Sequence, residues 1–185
     1  SSQFYPDFDM AYARKLAESF QLPLEKKVSG LSTGYSSIYK IVVALSCNAN
    51  FIFLDEPVLG LDANHRELFY KALVDNYASH PKTFVLSTHL IEEASDLLEH
   101  VIILKEGHVI LDETTEQVLA RGFTVSGPSA AVDAFTAGRR ILGCDTLGGL
   151  KTAYLMENLQ SATNPQGLEV SKMDLQKLFI HLTNV

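Results

Sequence analysis

The chain has 185 residues, 15 Lys plus Arg against 22 Asp plus Glu, and a formal net charge of -7. That length fits one domain, or a domain with a small appendage, and a composition of 46% hydrophobic and 20% charged residues excludes a disordered chain. The acidic balance argues against a general nucleic-acid binder, and no apolar run approaches the ~18 residues of a membrane span.

The opening residues have neither a basic start nor an apolar stretch, so no signal peptide is expected. The start at Ser1 without a methionine reads as a fragment or a processed chain. Met10, Ala13, Leu16, Ala17 and Phe20 follow helical spacing behind Asp9, a suitable N-cap, and Leu22-Pro23 ends that helix. A polar, glycine-bearing stretch over 26–34 opens a second helix with Ile38, Ile41, Val42 and Leu45 as its buried stripe. Phe51-Ile52-Phe53-Leu54 is a continuous apolar run that predicts a strand buried on both faces.

The alternation then repeats, predicting a helix over 66–77 (stripe Leu68, Phe69, Ala72, Leu73, Tyr77), a strand over 83–87 and a helix over 91–98. Strands over 101–105 and 108–111 flank Glu106-Gly107, a hairpin signature, and a short helix over 115–121 follows. This pattern predicts an α/β layer architecture. After Gly122 the segments shorten, and residues 122–185 read as a small α+β appendage with a ferredoxin-like βαββ core. A last helix over 173–182 would be capped by Ser171 and Asp174. Cys47 and Cys144 lie far apart without metal-like spacing and read as reduced core thiols of the cytosol.

Four short segments carry chemistry. They are Leu31-Ser32-Thr33-Gly34-Tyr35 at the start of the second helix, Phe51-Ile52-Phe53-Leu54-Asp55-Glu56-Pro57, Leu59-Gly60-Leu61-Asp62, and Ser87-Thr88-His89. A carboxylate leaving a strand end, as Asp55 does, suits a hard cation, and its neighbour Glu56 suits proton abstraction from water. A helix N-terminus with a serine and a glycine offers N–H donors and close backbone approach to an anion. His65, His80, His100, His108 and His181 read as ordinary surface histidines.

In order and separation, the four segments together resemble the latter part of an ABC-type ATPase, with signature motif, Walker B and its glutamate, D-loop and switch histidine. The resemblance implies a partial P-loop NTPase domain over 1–121, with the appendage over 122–185. It implies ATP and Mg²⁺ as cofactors, with Asp55 at the metal, Glu56 and His89 catalytic, and Ser32, Gly34 and Asp62 at a nucleotide held with a second subunit. Thr33, Tyr35 and Leu59 depart from the commonest forms of these motifs.

No Gly-x-x-x-x-Gly-Lys-Ser/Thr phosphate cradle occurs in the chain, so these residues alone are expected to be inactive. The family places the missing strand between those over 83–87 and 101–105, so an altered sheet or an oligomeric contact is expected there. The implied whole is the ATP-binding subunit of a bacterial, export-type ABC transporter. It would dimerise with a second ATPase subunit, dock on integral membrane permease subunits, and lie peripherally on the cytoplasmic face of the membrane. The alternatives are a soluble ABC ATPase acting on ribosomes, DNA or cluster assembly, and a non-hydrolysing regulatory module.

Overall fold

Asp9 caps the first helix as its position predicts: its carboxylate accepts the Tyr12 N–H at 2.8 Å, opening α1 (Met10–Ser19). The computed structural model describes residues 5–157 and 167–183. The chain divides into two compact units, Ser1–Leu90 and Ile91–Val185, ahead of the composition change at Gly122.

In the first unit, α1 closes with Gln21 at φ 50, where the Leu22 N–H reaches the Ala17 carbonyl at 2.8 Å and the Gln21 N–H reaches Glu18 at 3.0 Å. This is a Schellman end with glutamine in place of the usual glycine. The expected stripe Ile38, Ile41, Val42 and Leu45 is buried on α2 (Thr33–Ser46). The parallel strands β1 (Phe51–Asp55) and β2 (Thr83–Ser87) are joined through α3 (Ala63–Ser79), with Asp55 opposite Ser87. Phe20, Ile38, Leu45, Ile52, Val58 and Phe69 share the core.

Two expectations about this core need correction. β1 buries only Ile52 and Leu54, while Phe51 and Phe53 are 66% and 74% exposed, because helices cover only one face of the two-stranded sheet. On α3 the inward position is Asn76 rather than Tyr77, which is exposed. Asn76 donates to the Leu45 carbonyl at 3.0 Å and so ties α3 to α2.

The second unit begins with a short α4 (Ile91–Ala94) and the hairpin β3 (His100–Lys105) and β4 (His108–Thr114), turned by Glu106 and Gly107 at φ 51 and 79. Thr114 and Gln117 form a capping box on α5 (Thr115–Ala120). β1 with β2, and β3 with β4, form separate two-stranded sheets.

From Phe123 the order is β5 (Phe123–Pro128), α6 (Ser129–Thr136), β6 (Ile141–Leu147), β7 (Leu150–Leu155), β8 (Glu169–Lys172) and α7 (Leu175–Thr183). The sheet runs β6-β7-β5-β8 with every neighbouring pair antiparallel, which is the ferredoxin-like strand order. Val132 of α6 packs with Ala153 and Leu155, whereas α7 packs with Tyr154. Alternation along β7 therefore puts the two helices on opposite faces. Ser171 lies in β8 and does not share the cap of α7; Asp174 alone accepts the Lys177 N–H, at 3.0 Å. Positions 158–166, 184 and 185 of the expected appendage lie outside the described residues.

Candidate active site

All six residues singled out for chemistry fall in the first unit. Asp55 ends β1 with an exposed carboxylate whose Oδ1 accepts the Ser87 hydroxyl at 2.8 Å. Glu56 follows at φ 43, a left-handed conformation uncommon for glutamate, secured by its N–H donating to the Ser87 carbonyl at 2.8 Å. That turn swings the Glu56 side chain to His89, whose Nδ1 lies 2.8 Å from Oε1. The other oxygen, Oε2, is buried with no hydrogen-bond partner among the described residues. Carboxylates seldom leave such an acceptor unfilled. Parallel pairing of β1 and β2 thus brings Asp55, Glu56 and His89 together from segments distant in sequence.

Ser32 and Gly34 form a second group at the N-terminus of α2. The Ser32 hydroxyl accepts the Tyr35 N–H at 3.3 Å, so it is the N-cap. Gly34 lies against the chain after β1: a Cβ there would stand 3.0 Å from the Gly60 carbonyl oxygen. The Ser37 hydroxyl also donates to the Leu59 carbonyl at 3.4 Å. Asp62 caps α3 through the His65 N–H at 2.9 Å and faces His65 Nδ1 at 2.9 Å. The His65 N–H and ring together hold the Asp62 carboxyl below the usual carboxylate range.

His65 is not the surface residue its sequence context suggests. Its ring stacks on Phe20 at 6.2 Å, meets Tyr35 edge-on at 6.5 Å, and reaches the Phe20 carbonyl with Nε2 at 3.3 Å. His181 likewise packs on Tyr154 at 4.6 Å with Nε2 buried. Histidines that bind through packed rings leave no periodic trace.

The donors at the strand ends are all oxygens, Asp55 with Ser87 beside it and the unfilled Oε2 of Glu56, which suits Mg²⁺. No group of three or more His, Cys, Asp or Glu among the described residues could hold a metal. The site therefore fits Mg²⁺ that arrives with phosphate oxygens and water, the usual habit of that ion. For ATP the fit is partial: the α2 N-terminus can meet phosphate oxygens, but the chain carries no phosphate-cradling loop.

No protein-family model matches the chain. It is 28% identical over 121 residues to the ABC transporter ATP-binding protein YtrB of Bacillus subtilis, a match covering 63% of this chain and 41% of that protein. It is 34% identical over 88 residues to the Nod factor export ATP-binding protein I of Rhizobium meliloti, covering 48% and 26%. A solved structure described as a cobalt transport ATP-binding protein superposes with a TM-score of 0.54 at 19% identity, covering 82% of this chain and 54% of that one.

The fold is that of part of a P-loop NTPase of the ABC type, carrying a small α+β appendage. The chain's curated homologues are ABC transporter ATP-binding proteins, of both export and import types, and it spans less than half the length of the two curated relatives named here.

Proposed function

We propose that this chain supplies the hydrolytic and signature-bearing portion of an ATP-binding subunit that powers an ABC transporter. The observation that carries the reading is the pair of strand-end carboxylates, with Glu56 turned by a left-handed backbone onto His89 and its Oε2 unfilled. Bound ATP·Mg²⁺ would supply the phosphoryl group that passes to water. Asp55 would hold Mg²⁺ through its carboxylate. Glu56 would orient the attacking water and take its proton, while His89 keeps the carboxylate turned. A neutral imidazole that donates from Nδ1 has a bare Nε2, so only the protonated ring of His89 can donate to a phosphate oxygen.

Ser32 and Gly34 would present the α2 N-terminus to a nucleotide held by a second ATPase subunit, and Asp62 would sit at the contact between the two. The exposed face of β1 and β2, with Phe51, Phe53 and Val85, is where the phosphate-cradling portion of such a domain would pack. Without that portion these residues would neither bind ATP tightly nor hydrolyse it.

The partners on this reading are a second ATPase subunit and integral membrane permease subunits, with export as the direction. No described helix is long and apolar enough to cross a membrane, which fits a peripheral place on the cytoplasmic face. The deciding experiment is ATP turnover by the complete gene product. Glu56→Gln should retain ATP binding while turnover falls about 10²–10⁴-fold, the range for a positioned acid–base group. Turnover at the unsubstituted rate would remove Glu56 from the reaction.

A further inference from the structure

We propose that the cleft between α1 and α3 is a binding site for a small zwitterion, its cationic end at Asp9, Asp75 and Asn76 and its anionic end at Lys15 and Lys71. The cleft has a volume of about 450 Å³ and is lined by all five of these residues. It lies wholly within the first unit, and the proposal does not depend on the ATPase reading.

Two bonds set the register of its walls. The Tyr12 hydroxyl is 3.5 Å from the Ala72 carbonyl, and His65 Nε2 is 3.3 Å from the Phe20 carbonyl. Rising numbers on α1 thus meet falling numbers on α3, so the helices run antiparallel. Asp9 comes level with Asp75 and Asn76, and Lys15 comes nearest the level of Lys71. At ~1.5 Å of rise per residue, the acidic and basic ends lie ~6 Å apart along α3 and ~9 Å apart along α1. Leu16, Leu68 and Ala72 line the stretch between.

This arrangement is poorly matched within the protein itself. Carboxylate lies level with carboxylate, and the two lysines are offset by about two residues (~3 Å of helix rise), near enough for like charges to repel. Both carboxylates act at the Tyr12 hydroxyl, which burial, foremost, and the charges of Asp75 and Asp9 raise above the usual phenol range against the pull of an Asn76 hydrogen bond. Asn76 is 5% exposed and spends its Nδ2 on the Leu45 carbonyl at 3.0 Å, while its Oδ1 has no partner. A buried amide acceptor left unfilled calls for a donor. Asn76 lines the cleft, and the neighbouring Tyr12 hydroxyl makes only a long contact with the Ala72 carbonyl. An alkylammonium would fill Oδ1 and separate the carboxylates, its methylenes would lie on the leucines, and an anionic tail would separate the lysines.

The test is calorimetric titration of the 185-residue chain with 6-aminohexanoate, whose charges have about that separation, alongside hexylamine and hexanoate. The proposal expects millimolar binding of the zwitterion and binding about tenfold weaker for each single-charge analogue, the loss of roughly one charge contact. Asp75→Asn and Lys71→Gln should each weaken the zwitterion about tenfold. The Asn76 side-chain amide resonances should shift on titration, a readout that needs no substitution. Failure to bind at tens of millimolar, equal binding of hexylamine or hexanoate, unaltered affinity in both variants, or unmoved Asn76 resonances would each overturn it.

Discussion

The Gly60 carbonyl oxygen stands 3.0 Å from the point a Cβ on Gly34 would occupy, so the start of α2 and the loop after β1 meet backbone to backbone. Two residues of separate motifs thereby become one surface. The loop cannot yield freely, because the Leu59 N–H is held by Glu56 at 3.1 Å and the Leu61 N–H by Val58 at 3.1 Å. Gly34→Ala gains about 1 kcal/mol of helix propensity but overpacks a fixed carbonyl, which costs about 1–3 kcal/mol. A net loss of about 1 kcal/mol in urea unfolding is expected. A stabilised variant would show that the loop yields.

The Phe53 side chain is 74% exposed on a strand whose other face is packed. Phe53→Ser should leave the stability of the 185-residue chain within about 0.5 kcal/mol, as for surface substitutions away from special features. It should also reduce self-association, because the Phe51, Phe53 and Val85 face is an apolar patch. Urea unfolding checks the first half and sedimentation at matched concentration the second; unchanged association would place the sticky surface elsewhere.

Val118 on α5 is 1% exposed and shares a cluster with Leu175 and Leu178 of α7. A chain ending after Arg121 would strip that cover from Val118 and Ile91, although the change in sequence texture invites a cut there. Such a truncation should bind more of an apolar dye than one ending after Leu90, where the compact units divide. Equal dye binding would mean that α4 and α5 stand without α7.

Asp145 accepts hydrogen bonds from Lys177 at 2.9 Å and Tyr154 at 2.8 Å, which hold its carboxyl below the usual range, Lys177 first. Its contribution to stability is therefore complete above the unfolded carboxyl value of about 3.9 and is lost as pH falls through the lower folded value. The same bond raises Lys177, whose contribution is complete below about 10.4 and is lost as pH rises through the higher folded value. The difference in urea midpoint between the wild type and Asp145→Asn should be flat near neutrality and shrink towards pH 3 (about one unit below that carboxyl value). A constant difference across the acid range would remove the charge from the explanation.

The sequence by itself determined what local physics encodes. Asp9 caps its helix as its position predicts, and Ser32, Asp62 and Thr114 obey the same local rule, in which a short acceptor before an amphipathic stretch satisfies N–H groups a few residues away. The stripe of Ile38, Ile41, Val42 and Leu45 and the turn at Glu106-Gly107 were legible for the same reason, as was the order of the four motifs. Tertiary structure alone decided which segments met. The pairing of Asp55 with Ser87 turned neighbouring carboxylates to different partners. The antiparallel arrangement of α1 and α3 set acid level with acid, and the rings of Phe20 and Tyr35 packed His65. The open face of Phe51 and Phe53 was invisible in a run that reads as buried on both sides, because an apolar pattern records what a strand can bury and only packing decides what covers it.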